Sequence, residues 1–172
     1  RVGGGRTRTQ SRSKNVTFFD VYNLRENDSL GSGAYGQVYT CVRKTTGEEC
    51  AVKIIDKETP GHSRSRVLRE VELFRICAKH PNIVQLHDWF EDEDSFYMVF
   101  EKMRGGPLLK RIQEKKSFTE AEAPRVTKDI ASALSFLHDS GIAHRDVKPD
   151  NILCTDESAV APVKLCDLDL AS

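Results

Sequence analysis

The stretch Ala143-His144-Arg145-Asp146-Val147-Lys148-Pro149-Asp150-Asn151-Ile152-Leu153 constrains this chain more than any other. It gathers an aspartate, a lysine and an asparagine into six residues, Asp146 to Asn151, and runs into residues that read as strand. A second acidic group, Asp167-Leu168-Asp169, follows after a polar turn and an apolar run. Asp146 can accept a hydrogen bond and then a proton from a hydroxyl, and Lys148 can offset negative charge beside it. Asn151 and Asp167 offer the hard oxygen ligands that magnesium requires. The bland alternative, in which Asp146 and Asn151 merely cap turns, leaves the upstream sequence unexplained.

That upstream sequence is expected to start folding near Phe18-Phe19-Asp20-Val21-Tyr22. Leu30-Gly31-Ser32-Gly33-Ala34-Tyr35-Gly36-Gln37-Val38 follows, then the alternating run to Val42, a turn at Thr46-Gly47-Glu48 and the apolar run Ala51-Val52-Lys53-Ile54-Ile55. The order reads strand, glycine loop, strand, turn, strand. Glycines at 31, 33 and 36 let a backbone close over phosphates and turn its amides toward them. Dinucleotide-binding folds share the spacing, but there the glycines open a helix, and here a strand follows. Lys53 lies inside an apolar strand, where an unpaired ammonium is costly, so it needs partners unless it snorkels out at a strand end. Phosphates and a glutamate would satisfy it. On the helix expected over residues 65–76, Val67, Leu68, Val71 and Phe74 share a face, with Leu73 near it; Glu70 flanks that face and Glu72 points away.

His80-Pro81-Asn82 is expected to break this helix, with strands over residues 83–90 and 95–100 and the acidic run 91–94 as a solvated turn between them. Past Arg104-Gly105-Gly106-Pro107 the period becomes helical. Thr119 and Glu122 form a capping box, and the helix that follows sets Ala123, Val126, Ile130, Ala133, Leu134 and Leu137 on one face before stopping at Gly141.

Five stations in this order resemble a protein kinase: glycine loop, strand lysine, helix glutamate, H-R-D-x-K-x-x-N loop and acidic turn. The resemblance implies an α+β fold, with an antiparallel five-stranded N-lobe and helix C over residues 18–103 and the start of a helical C-lobe over 104–172. It implies ATP and Mg2+ as cofactors. Asp146, Lys148, Lys53 and Glu70 become catalytic residues. Leu30, Gly31, Ser32, Gly33, Ala34, Tyr35, Gly36, Val38, Ala51 and Lys53 become nucleotide contacts, with Phe100, Glu101 and Met103 at the hinge, and Asn151 and Asp167 hold the metal. Lysine two places after Asp146 is the serine/threonine pattern. His144 packs beneath Leu168, and Phe74, Leu86, His144 and Leu168 build a hydrophobic column.

The stretches 60–72, 96–106 and 136–154, together with Asp169 where nearly all kinases carry Gly, resemble the MAP kinase-interacting kinases of the calcium/calmodulin-dependent branch. That resemblance implies activation by an upstream MAP kinase, the cap-binding translation initiation factor as protein substrate and the initiation scaffold protein as partner. It places the protein in the cytoplasm, extending to the nucleus. Departures are Leu168 for Phe, Asp150 for the usual Glu, a fuller glycine loop at Gly36, and Pro107 where basophilic kinases carry an acid. At Asp169 the sequence implies backbone strain that glycine would avoid.

Lysine and arginine equal aspartate and glutamate at 26 each in 172 residues, so no overall field favours nucleic acid or membrane, and no apolar run suffices to span a bilayer. Arg1, Arg6, Arg8, Arg12 and Lys14 make residues 1–17 a basic arm, expected to be disordered and solvated or else a nuclear-import or partner-docking segment. The five cysteines are odd in number and lack a C-x-x-C pair, which fits free thiols better than a disulfide or zinc framework. Because no activation segment follows Asp169, the chain is expected to be part of a kinase domain. The alternative is a non-catalytic nucleotide-binding or scaffold fragment, and these 172 residues alone are expected at most to bind nucleotide weakly and not to phosphorylate protein.

Overall fold

The computed structural model describes residues 16–33, 36–115 and 117–172. The basic arm through residue 15 and the loop residues Ala34 and Tyr35 lie outside them.

Thr17 and Asp20 form a reciprocal capping box over one helical turn, α1 (Phe18–Val21). The expected first strand therefore begins only at Tyr22. β1 (Tyr22–Gly33), β2 (Gly36–Arg43), β3 (Glu49–Asp56), β4 (Leu86–Glu91) and β5 (Ser95–Glu101) form one antiparallel sheet ordered β1-β2-β3-β5-β4. Alternation along β3 assigns its faces. Cys50 and Val52 turn outward into a cluster with Phe18, Tyr22, Phe90 and Tyr97, where the Phe18 and Tyr97 rings stack at 4.8 Å. Ile55 turns inward to α2 (Arg64–Ile76).

Ser63 caps α2 by accepting the Arg66 amide proton. The buried residues of α2 are Val67, Glu70, Val71, Leu73 and Phe74; Leu68 is half-buried and Glu72 exposed. The helix ends at Ile76, ahead of the expected break, and Lys79 turns the chain with a φ of 70°. Residues 83–85 do not join β4. Val84 donates its amide to Leu165, whose own amide donates to Asn82, so this segment runs beside β8 instead.

Beyond β5, β6 (Gly106–Pro107), β7 (Ile152–Cys154) and β8 (Val163–Leu165) make a small second sheet ordered β6-β7-β8. Gly105 enters it so tightly that an added Cβ would lie 2.4 Å from the Asp156 carbonyl oxygen. α3 (Leu108–Lys115) and α4 (Glu122–Asp139) complete the described elements. The Thr119–Glu122 capping box forms, with Glu122 amide to Thr119 Oγ1 at 3.2 Å and Thr119 amide to Glu122 Oε2 at 3.0 Å, although regular helix starts at Glu122. At the other end Gly141 takes a φ of 73°, and the Gly141 and Ile142 amides donate back to His138 and Leu137, a Schellman stop. Val126, Ala133 and Leu137 are buried; Ala123, expected on that face, is exposed in the first turn. One apolar cluster runs from the inner face of the large sheet through Phe74 and Ile83 to Leu165 and Leu168, joining the two halves. No helix among the described residues is long and apolar enough to cross a membrane. All five cysteines are free.

Candidate active site

β3 and α2 supply the first pair. Lys53 Nζ stands 3.2 Å from Glu70 Oε1 and 3.3 Å from Oε2, with the Glu70 side chain 2% exposed. Burial works against the Lys53 ammonium, but Glu70 and then Asp167 outweigh it and hold the lysine above its ordinary value. Glu70 is pushed up by burial first, with Lys53 opposing and Asp167 adding to the rise. The Lys53 shift reports the acids around this cation, whereas that of Glu70 reports chiefly its burial.

The loop after α4 folds by short-range hydrogen bonds. His144 Nδ1 accepts the Asp146 amide proton at 3.1 Å, and Arg145 between them takes a φ of 67°. Asn151, one residue of the 3-10 turn Pro149–Asn151, donates Nδ2 to the Asp146 carbonyl and to Asp146 Oδ2, both at 2.9 Å. Those bonds use the amide nitrogen and leave the Asn151 side-chain oxygen for another partner. Lys148 lies 3.3 Å from Asp146 Oδ2 and is half-exposed. Burial keeps His144 below its ordinary pKa, with the Asp167 and Asp146 charges opposing. Leu168 is 1% exposed and Phe74 2%; with half-buried Leu86 and buried His144 they are the residues expected to form the column.

The acidic turn is carried by β8. The Cys166 amide donates to the Asn151 carbonyl at 3.1 Å, which sets Asp167 beside the loop. Burial first, then the Asp167 charge, push the Cys166 thiol up to about 12. Asp167 Oδ1 accepts the Asp169 amide proton at 2.9 Å. Of the acids at this site, Glu70, Asp146 and Asp169 each have an ion pair; Asp167 makes no salt bridge among the described residues. A carboxylate without a salt bridge, next to a loop in which the Asn151 side-chain oxygen is left for another partner, fits a hard divalent cation.

Asp169 overturns its expectation. Lys79 and Arg145 are the non-glycine residues with positive φ among those described, so Asp169 is not in the strained region. Its carboxylate, 4% exposed, takes a two-pronged grip from Arg66 on α2, Nε to Oδ1 at 2.8 Å and Nη2 to Oδ2 at 2.6 Å. Sequence reasoning passed over Arg66. It lies four residues before Glu70, hence on the same helical face, and that spacing was the available signal.

Around the expected nucleotide, Val38 pairs with both Gly31 and Lys53, Ala51 pairs with Phe100, and Phe100 meets Phe74 edge-on at 5.0 Å. Ser32 and Gly33 end β1 opposite Gln37 and Gly36. Leu30 is 40% exposed, and Met103 packs on the main cluster. The loop glycines differ in kind. A Cβ on Gly36 would lie 2.5 Å from the Ile54 carbonyl oxygen, so strand packing demands that glycine, whereas Gly31 has open space around it. At the hinge the Glu101 amide donates to Gln85, and its side chain accepts from Gln85 and Lys164. The Met103 carbonyl accepts from Gly106.

The protein kinase domain family matches residues 24–172. MAP kinase-interacting serine/threonine-protein kinase mnk-1 of Caenorhabditis elegans is 61% identical over 99% of this chain, which spans 25% of that protein. MAP kinase-interacting serine/threonine-protein kinase 2 of Xenopus laevis is 54% identical over 90% of the chain and 33% of its own length. Kinase 1 of the same name from Xenopus laevis is 50% identical over 98% of the chain and 41% of its length. The chain thus spans a quarter to two-fifths of these curated relatives. The crystal structure of Rad53 1-466 in complex with AMP-PNP superposes with a TM-score of 0.81 at 34% identity, over 90% of this chain and 40% of that one. Its five-stranded sheet with one packed helix, its family match over residues 24–172 and its 50–61% identity to MAP kinase-interacting kinases agree: the chain belongs to the protein kinase family.

Proposed function

We propose that this protein transfers the γ-phosphoryl group of ATP to serine or threonine hydroxyls of a protein substrate. The observation that carries the reading is the Lys53–Glu70 pair, whose lysine also feels the Asp167 charge, together with Cys166, the neighbour of Asp167, bonding the Asn151 carbonyl in the loop of Asp146. The solved relative's complex with AMP-PNP, an ATP analogue, supports ATP as the nucleotide.

Asp167 and the Asn151 side-chain oxygen would hold magnesium, which when bound supplies charge neutralisation on the phosphates. Lys53 binds the phosphates, and Glu70 keeps its ammonium aimed into the cleft. Leu30, Val38 and Ala51 offer apolar contact to the base. The backbone of Glu101 and Met103 offers its hydrogen bonds, and Phe100 closes the rear. Gly31, Ser32 and Gly33 bring backbone amides over the phosphates. Asp146 accepts the hydrogen bond of the attacking hydroxyl and orients its oxygen. As the new oxygen–phosphorus bond forms, the bond from γ-phosphorus to the bridging oxygen breaks, the hydroxyl proton passes to Asp146 and ADP leaves. Lys148, half-exposed beside Asp146, offsets charge on the moving phosphoryl group.

The relatives' names support a MAP kinase as upstream partner. Within this reading the substrate is the cap-binding translation initiation factor, met on the initiation scaffold protein. Incubation of the purified protein in its full-length form with Mg-ATP and that factor should give phosphoserine or phosphothreonine by mass spectrometry, and Asp167→Asn should abolish it. Nucleotide binding without phosphate transfer in the wild type would overturn the catalytic reading in favour of a binding module.

A further inference from the structure

On the outer face of the large sheet, opposite Lys53, three side chains of different ligand chemistry meet. Cys50 is the second residue of β3, Glu48 immediately precedes that strand, and His87 is the second residue of β4. Their ligand atoms all lie within 4.8 Å of one another, and Cys50 Sγ is 3.7 Å from His87 Nδ1. His87 occupies the irregularity between Leu86, paired with Phe100, and Asp88, paired with Val99. An extra residue of that kind re-aims its side chain. Cys50 pairs with Glu101 at the end of β5, so the imidazole reaches Cys50 across that strand end.

We propose that Glu48, Cys50 and His87 form a zinc site, with water as fourth ligand, that ties β3 to β4 behind the hinge. Zinc accepts this mixed sulfur, nitrogen and oxygen set in tetrahedral geometry. With its usual bond lengths, two tetrahedral ligands of sulfur and nitrogen stand about 3.6 Å apart. The Cys50–His87 separation of 3.7 Å already matches. The Glu48 carboxylate has to close by about 1 Å; its side chain is 52% exposed and able to swing.

Two costs oppose binding. Arg43 lies 3.8 Å from Glu48 and 3.6 Å from Asp88, so Glu48 exchanges one cation for another while Asp88 keeps Arg43 and the Tyr22 hydroxyl. Burial, then Glu48, push the Cys50 thiol up to about 11, so coordination displaces a proton that metal-free Cys50 holds at neutral pH. The sequence hides this site because Cys50 and His87 are 37 residues apart and match no ligand spacing.

Cobalt(II), which reports thiolate coordination by a charge-transfer band, is titrated into the purified protein and then competed with zinc. The wild type should take up one more equivalent than either Cys50→Ser or His87→Ala, and the charge-transfer intensity of that equivalent should vanish in both. Glu48→Gln should weaken the same equivalent by at least about tenfold, and Cys166→Ser should leave it unchanged. His87 is exposed, so its replacement by alanine keeps the fold and the comparison valid. Equal stoichiometry in wild type and His87→Ala overturns the proposal and leaves Cys50 and His87 as a weak S–H to nitrogen hydrogen bond.

Discussion

The loop over residues 144–151 and the turn over residues 167–169 meet at one cleft but are held in place by opposite means. In the loop, Asp146 bonds His144 two residues away and Asn151 five residues away, and Lys148 folds back onto Asp146. In the turn, Asp169 is gripped by Arg66 across 103 residues, and Asp167 owes its place to β8 lying against residues 82–84 and Asn151. Local bonding lets the loop keep its shape while its charges stay partly open to solvent, as groups that touch a substrate must. Long-range bonding makes the turn an indicator of where α2 stands, because Arg66 and Glu70 on that one helix reach Asp169 and Lys53.

The largest effect expected is on chemistry, in the locally built loop. Asp146→Asn should lower phosphate transfer by about 10²- to 10⁴-fold, since the amide cannot take the proton. Stability should change little, because the carbonyl that Asn151 bonds is backbone and the new side-chain oxygen still accepts. Steady-state kinetics beside a urea melt separate the two. A large loss of stability would show that the loop is not self-supporting and would break the contrast.

Lys53→Met tests the long-range side. Removing one member of a buried ion pair costs about 3 to 5 kcal/mol, read from urea denaturation. The sign with pH follows from the raised value of Lys53. Its share of stability is present in full below the ordinary lysine value and is lost as pH rises through the higher folded value, so wild type and variant should converge only in strong alkali.

What the sequence displayed divides along the same line. Loop, glycine spacing, strand lysine and α4 caps were legible because each is written in a few consecutive residues or one helical period. The grip of Arg66 on Asp169 was not, because local sequence presents Asp169 as a strained glycine substitute while a partner on another element satisfies it. Strand β4 starts three residues later than the strand-like run from Ile83 suggests for a related reason: Val84 and Asn82 bond β8 instead of β5. Ala123 fits the helical period yet lies exposed in the first turn of α4.

Asp169→Gly then decides between strain and pairing by the sign of its effect. Relief of strain would raise Tm. Loss of two charge-assisted hydrogen bonds should lower stability by about 1 to 3 kcal/mol. Arg66→Ala in a double-mutant cycle should return most of that as coupling. Independent, additive losses would mean that the turn does not sense α2.

The smallest effect belongs to a local device with no part in the cleft. Thr119→Ala removes the hydroxyl that accepts the Glu122 amide proton and should cost about 1 kcal/mol of stability, as helix caps do. Lys115 first, then the Thr119 amide, hold Glu122 below the ordinary carboxylate value. The contribution of that carboxylate is therefore present above the unfolded value and fades as pH falls through the lower folded one. Thermal melts of Glu122→Gln and wild type should approach each other in acid, while the affinity for Mg-ATP at neutral pH stays at the wild-type value in Thr119→Ala. A change in nucleotide affinity there would mean that α4 transmits to the cleft, and that a short-range cap can govern groups which the arrangement described here leaves to Arg66, Glu70 and β8.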